Sequence, residues 1–203
     1  MLYFHGNGEI VDDYDWSAPF YNEIGINLFV ADYHGYGFSD GRPTITNTIK
    51  DSHQIFKQFI KIVEEYGSRK SFFVMGRSLG SVPAIEVAYH HQNNIQGLII
   101  ESSPANNFRH FFSSLIPSNH PIWSDNSRFL NKVKLRSISK PTLIIHAEYD
   151  TLVPLEEGKE LYNNSTAKDK CLVIIPNADH NDLMIVGKKQ YFKAIEEFVK
   201  TYS

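Results

Sequence analysis

The chain has 203 residues, 42% of them apolar and 21% charged, with 20 Lys and Arg against 23 Asp and Glu for a net charge of -3. That balance suits one globular domain with enough chain for a proper core, and it excludes disordered, fibrous and disulfide-dense classes. It also lacks the concentrated basic face that nucleic-acid binding requires, and no apolar run approaches the ~18 residues that cross a bilayer.

The predicted elements alternate along the chain. A short apolar strand, Leu2 to His5, ends at Gly6, and a longer one runs from Ile26 to Tyr33. From Thr46 to Tyr66, apolar residues at Ile49, Phe56, Phe59, Ile60 and Val63 make a 3.6-residue stripe, and Gly67 stands where a helix stops. A strand over Phe72 to Met75 leads into a helix over Ser78 to His91, followed by a strand over Ile95 to Glu101. Asn106 to Lys140 breaks the rhythm with aromatic residues among prolines and serines, and reads as a small lid-like insertion within a single 1–203 domain. Thr142 to His146 and Cys171 to Pro176 are strands, Leu155 to Tyr162 is a helix, and a last helix carries Tyr191, Ile195, Phe198, Val199 and Tyr202 on one face. Short Val-, Ile-, Leu- and Phe-rich strands without strict alternation are buried on both faces. Alternated with helices, they predict an α/β fold with a parallel sheet covered on both sides.

The sharpest motif is Gly76-Arg77-Ser78-Leu79-Gly80. It fits G-x-S-x-G, a strand-to-helix turn whose cramped backbone needs small neighbours and which lifts a serine hydroxyl toward the positive end of the helix. A glycine-rich turn without chemistry is the bland alternative. A serine needs a base and an orienting carboxylate. His180 and Asp150 each follow a predicted strand, where catalytic groups of open α/β sheets collect. The order Ser78, Asp150, His180 is that of α/β-hydrolases. Glycines in His5-Gly6-Asn7-Gly8 leave a backbone N–H free to face an oxyanion, together with that of Leu79.

Other motifs weaken on inspection. Gly35-Tyr36-Gly37-Phe38-Ser39-Asp40-Gly41 is off by one from a dinucleotide fingerprint, and Arg42-Pro43 follows it instead of a helix. His90 and His91 are helical neighbours that diverge by about 100°, so the pair does not converge on one ion and reads as a solvated helix end. His34 and His146 read as hydrogen-bonded structural histidines. There is no H-E-x-x-H pattern and no P-loop.

On His5-Gly6-Asn7-Gly8, Asp32 to Gly41, Gly76 to Ser81, Asp150 and His180-Asn181-Asp182, the chain resembles serine hydrolases of the α/β-hydrolase superfamily. It is similar to the small-lidded branch of bacterial esterase-like proteins and eukaryotic protein depalmitoylases. The resemblance implies Ser78 as nucleophile, Asp150 as acid, His180 as base and backbone donors at Asn7 and Leu79. Two departures stand out. Ala147 replaces a common glycine, and the chain starts at the His-Gly-Asn-Gly strand, without the strands that usually precede it. A sheet of about six parallel strands is therefore expected, with Ile26 to Tyr33 at its edge, covered either by residues upstream of Met1 or by a homodimer, the alternative being that the loop after Gly8 or the Arg42-Pro43 segment folds over it.

The expected activity is hydrolysis of a carboxylic ester or thioester through an acyl-enzyme. The alternatives are an amidase or peptidase on the same residues, or a silent hydrolase-fold binding module. A serine at the elbow argues against dehalogenase and epoxide hydrolase chemistry, and the short insertion against the larger-capped peptidases. No cofactor or metal is expected, and the partner is a small-molecule or acyl-group substrate. Some of Phe108, Phe111, Phe112, Leu115, Ile116 and Trp123 of the insertion are expected to line an apolar acyl pocket, the alternative being that they only pack the insertion onto the sheet. The single cysteine, Cys171, and a start without a signal peptide lead to a cytoplasmic expectation.

Overall fold

The structure is a computed structural model and describes residues 1–67, 71–106, 118–119 and 131–203. Strands β1 (Leu2–Phe4), β2 (Phe29–Val30), β3 (Phe73–Arg77), β4 (Gly97–Glu101), β5 (Thr142–Ala147) and β6 (Lys170–Ile175) form one sheet. Its order is β2-β1-β3-β4-β5-β6 and every pairing is parallel. This is the sheet expected from the apolar runs.

Among the described residues the helices are α1 (Ala18–Glu23), α2 (Ile45–Glu65), α3 (Ser81–His90), α4 (Asn131–Leu135), α5 (Leu155–Asn164), α6 (Leu183–Val186) and α7 (Lys188–Tyr202). Side chains of a strand point alternately to opposite faces, and two cores result. Leu2, Phe4, Val74, Leu98, Ile100 and Ile144 pack with Phe56 and Phe59 of α2, Ile85 of α3 and Leu161 of α5. Tyr3, Met75, Ile99, Leu143 and Ile145 pack with Tyr21 of α1 and Tyr191, Ile195 and Phe198 of α7. Helix α2 starts where Thr44 Oγ1 accepts from the Asn47 N–H at 3.0 Å and stops before Gly67, whose positive φ of 69° suits glycine.

Three features depart from the expected elements. The strand expected over Ile26 to Tyr33 contracts to Phe29–Val30, because it has a neighbour on one side only and the chain leaves it to build the loop around Asp32. Strand β6 is not buried on both faces: it is the opposite edge, and Cys171 is exposed there. The loop after Gly8 holds a 3-10 turn (Val11–Tyr14) and α1, with Pro19 in its first turn. Neither has a counterpart among the apolar stripes of the sequence, since six residues are too few to show a period.

The insertion is rooted at both ends. The Lys132 N–H donates to Ala105 O at 3.2 Å, and Glu157 of α5 accepts from the backbone N–H of Ala105 (2.8 Å) and Asn106 (3.0 Å). Phe108, Phe111, Phe112, Leu115, Ile116 and Trp123 lie outside the described residues.

Candidate active site

The turn between β3 and α3 brings the first site residue into place. Ser78 sits at φ 50°, a left-handed conformation costly for a side chain with a Cβ and found where surrounding packing imposes it. The packing is specific. A Cβ on Gly80 would overlap the carbonyl oxygens of Phe4 and His5, so this close approach admits glycine alone. It also sets the His5-Gly6-Asn7 loop directly against the turn. The Ser81 hydroxyl donates to Ser78 O at 2.6 Å and accepts from the Ser103 hydroxyl at 2.6 Å, tying the turn to the end of β4.

Ser78, Asp150 and His180 come from three different strand ends and converge. Ser78 Oγ lies 3.0 Å from His180 Nε2, and His180 Nδ1 lies 2.8 Å and 3.0 Å from the two oxygens of Asp150. All three residues are buried. A carboxylate only accepts, so the proton on this neutral imidazole belongs on Nδ1, leaving Nε2 to accept from the serine hydroxyl. Asp150 Oδ1 also accepts from the backbone N–H of Leu152 (3.0 Å) and Val153 (2.7 Å), which orient the carboxylate.

Two neighbouring loops hold this geometry. The Glu148 N–H donates to Ile175 O at 3.0 Å and the Tyr149 N–H to Ala178 O at 2.9 Å, so the loops after β5 and β6 are stitched together. Asp179 accepts from the Thr151 N–H (2.8 Å) and the His180 N–H (2.7 Å), and the first of these holds its carboxyl below the ordinary range. Asp182 Oδ1 accepts from the Asp179 N–H at 2.7 Å, which makes Asp182 a turn residue rather than a partner of the imidazole. His146 is fully buried beneath Asp150; its Nε2 donates to Val153 O at 2.8 Å, and Gly158 of α5 packs so closely on the ring that a Cβ would strike Nδ1. His34 pairs with Asp51 at 2.5 Å. Both histidines are hydrogen-bonded structural residues, as expected.

The residue before the serine organises what surrounds it. Arg77 ion-pairs with Glu9, its Nε lies 3.2 Å from Glu101 Oε1, and its Nη2 donates to His180 O at 2.9 Å and Asn181 Oδ1 at 3.0 Å. Burial works against this charge, but the carboxylates of Glu9 and Glu101 outweigh it and hold Arg77 protonated. Glu9 in turn accepts from the Gly6 N–H and the Tyr14 hydroxyl, both at 2.6 Å. Arg77 thereby joins the loop carrying Asn7 to the loop carrying His180. Glu101 is fully buried; burial raises its pKa, opposed by Arg77 and by the Tyr191 hydroxyl that donates to it at 2.6 Å. Sequence reasoning passed over this network. Its signal was a lone charge ending each of two apolar strands, Arg77 on β3 and Glu101 on β4.

Asn7 and Leu79 lie on the two segments that meet at Gly80, and the Asn7 side chain is fixed by a 2.7 Å hydrogen bond from the Tyr36 hydroxyl. A groove of about 760 Å³ lies elsewhere among the described residues. It is lined by Met1, Phe29, Phe59, Phe72, Phe73 and Val199 at the N-terminal ends of the strands, opposite Ser78.

Known proteins share this architecture. Residues 1–132 match the family model described as serine aminopeptidase, S33. The human alpha/beta hydrolase domain-containing protein 17B is 28% identical over 204 residues, covering 98% of this chain and 65% of that protein. The chain thus spans just under two thirds of that relative's length. The monoacylglycerol lipase of Paleococcus ferrophilus superposes with a TM-score of 0.73 at 20% identity, covering 100% of this chain and 94% of that one. The esterase Pf2001 of Pyrococcus furiosus gives 0.79 at 20% identity, covering 99% and 82%. At that identity the two structures speak to the fold. The family match covers well over half of the chain and takes in the whole Gly76–Gly80 turn, and with it the chain belongs to the serine aminopeptidase S33 family of the α/β-hydrolase superfamily.

Proposed function

We propose that this hydrolase-family protein is a serine hydrolase that cleaves carboxylic ester or thioester bonds through an acyl-enzyme. The observation that carries the reading is the line of contacts from Ser78 Oγ through His180 to Asp150, at 3.0 Å and 2.8 Å. In it, His180 Nε2 takes the Ser78 proton as Oγ attacks the acyl carbonyl, and Asp150 keeps the imidazole in the Nδ1–H tautomer and stabilises the imidazolium. Backbone N–H groups of Asn7 and Leu79 receive the oxyanion, and the protonated His180 then delivers its proton to the leaving alcohol or thiol. Water enters, gives its proton to His180, attacks the acyl-enzyme and releases the acid, restoring Ser78.

An esterase and a lipase among the structural neighbours favour oxygen esters. The family's description favours an amide reading on the same residues. A fluorophosphonate probe tests the chemistry: wild type is labelled and Ser78→Ala is not. Absence of labelling in the wild type leaves a silent fold and overturns the proposal. Matched p-nitrophenyl ester and p-nitroanilide substrates separate the readings, with ester turnover expected to dominate.

A further inference from the structure

Helix α3 begins three residues after the candidate nucleophile and ends at a second polar cluster. Glu86 and His90 stand one helical turn apart on α3, and His53 reaches them from α2. Glu86 Oε1 lies 3.3 Å from His53 Nε2 and 3.2 Å from His90 Nε2. One donor atom from each residue lies within 4.8 Å of the other two. From these residues we propose a divalent transition-metal site, of the zinc class, built by His53, Glu86 and His90.

The donor spacing suits such an ion. Metal–ligand bonds of about 2.0–2.1 Å in a tetrahedral site set donor atoms roughly 3.3 Å apart. Both contacts to Glu86 already have that length, and closing the remaining gap requires a shift of His90, whose side chain is 50% exposed. The surroundings supply an outer-shell partner for one of the two imidazoles. A ligating imidazole donates its other ring N–H to a fixed acceptor, and His53 Nδ1 lies 3.3 Å from His91 Nε2. Lys134 holds the second oxygen of Glu86, so the carboxylate presents Oε1 to the two imidazoles. Two imidazoles and one carboxylate leave positions open to water and suit Zn²⁺, Co²⁺ or Ni²⁺ better than Mg²⁺ or Ca²⁺. The Lys134 ammonium repels a cation and moderates its affinity. His90 and His91 do diverge, as the sequence suggested; the partner His90 finds is 37 residues earlier, on the neighbouring helix.

The ten residues of α3 span about 15 Å. The ion would therefore bind well away from Ser78 and clamp α2 to α3, independently of what the serine does. Titration of the whole chain with Co²⁺, read by its visible absorption, and displacement by Zn²⁺ test this. One equivalent is expected in wild type and in His180→Gln. His53→Gln and His90→Gln should each weaken binding about tenfold or more, His34→Gln should leave it unchanged, and Lys134→Gln should tighten it several-fold. Binding that survives in the His53→Gln/His90→Gln variant, or disappears in His180→Gln, overturns the site. Should the double variant fold poorly, histidine ring NMR of the wild type decides. Co²⁺ broadening confined to His53, His90 and His91 supports the site; broadening centred on His34 or His180 overturns it.

Discussion

Two histidine–aspartate pairs stand on loops that leave the two edge strands of the sheet, and they differ in everything but their chemistry. His34 follows β2 and meets Asp51 at 2.5 Å; His180 follows β6 and meets Asp150 at 2.8 Å. The His34 side chain is 56% exposed, whereas those of His180 and Asp150 are 3% and 0% exposed. Asp51 ties its loop to α2 by also accepting from the His34 N–H at 2.9 Å. Asp150 is itself oriented by two backbone N–H groups, and the far nitrogen of its histidine points at a serine hydroxyl. A hydrogen bond between imidazole and carboxylate is thus not what makes a site. Exclusion of water strengthens the electrostatics, and a nucleophile placed at the second ring nitrogen gives the pair something to act on.

The largest test breaks that comparison directly. Asp150→Asn should lower kcat for ester hydrolysis by about 10⁴ with the fold intact, because the imidazole loses the acceptor that sets its tautomer. Asp51→Asn should change kcat by less than about tenfold, since its histidine faces water. Equal losses in the two variants would end the distinction between the pairs.

A second test concerns the support that Arg77 gives the His180 loop. Arg77→Met leaves Glu101 buried without its counter-charge, and should destabilise the chain by roughly 3–5 kcal/mol in urea unfolding. Arg77→Met/Glu101→Gln should recover part of that loss, because the orphaned charge is then gone. A double variant as unstable as the single one would show that packing of the arginine stem, not charge, is what matters.

Acidification tests the buried histidines. Burial holds His146 and His5 below the ordinary imidazole value of 6.5. As pH falls below 6.5, the unfolded chain takes up protons that these buried rings refuse, so stability is full above that value and declines toward the folded pKa values. Urea midpoints should therefore drop between about pH 7 and about pH 5. His146→Gln should show a shallower drop, and Glu101 cancels in the comparison because both chains carry it.

The smallest effect is expected at Asp182, two residues past His180. Its carboxylate accepts from the Asp179 N–H, which an asparagine oxygen can also do. Asp182→Asn should keep ester turnover within about tenfold of wild type, as a turn residue and not an orienting acid. A loss larger than that of Asp150→Asn would transfer the orienting role to Asp182.

What could be read from the residues was what local physics dictates. Apolar runs of strand length and the stripe of α2 depend on neighbours a few positions away, and so does the Gly76–Gly80 turn, whose small flanking residues the strained Ser78 backbone demands. Chain order then pointed to Asp150 and His180. Tertiary structure decided the rest. Asp150 rather than Asp179 or Asp182 faces the imidazole, because the loops after β5 and β6 are bonded to each other across adjacent strands. Arg77 acquires Glu9, Glu101 and the His180 carbonyl from three separate segments, the first 68 and the last 103 positions away. His53 meets Glu86 across 33 positions only because α2 and α3 lie side by side on the same face of the sheet. Strand ends that are distant in sequence become neighbours once the sheet forms. Burial then makes the charges gathered there depend on one another, and no local pattern of residues encodes that.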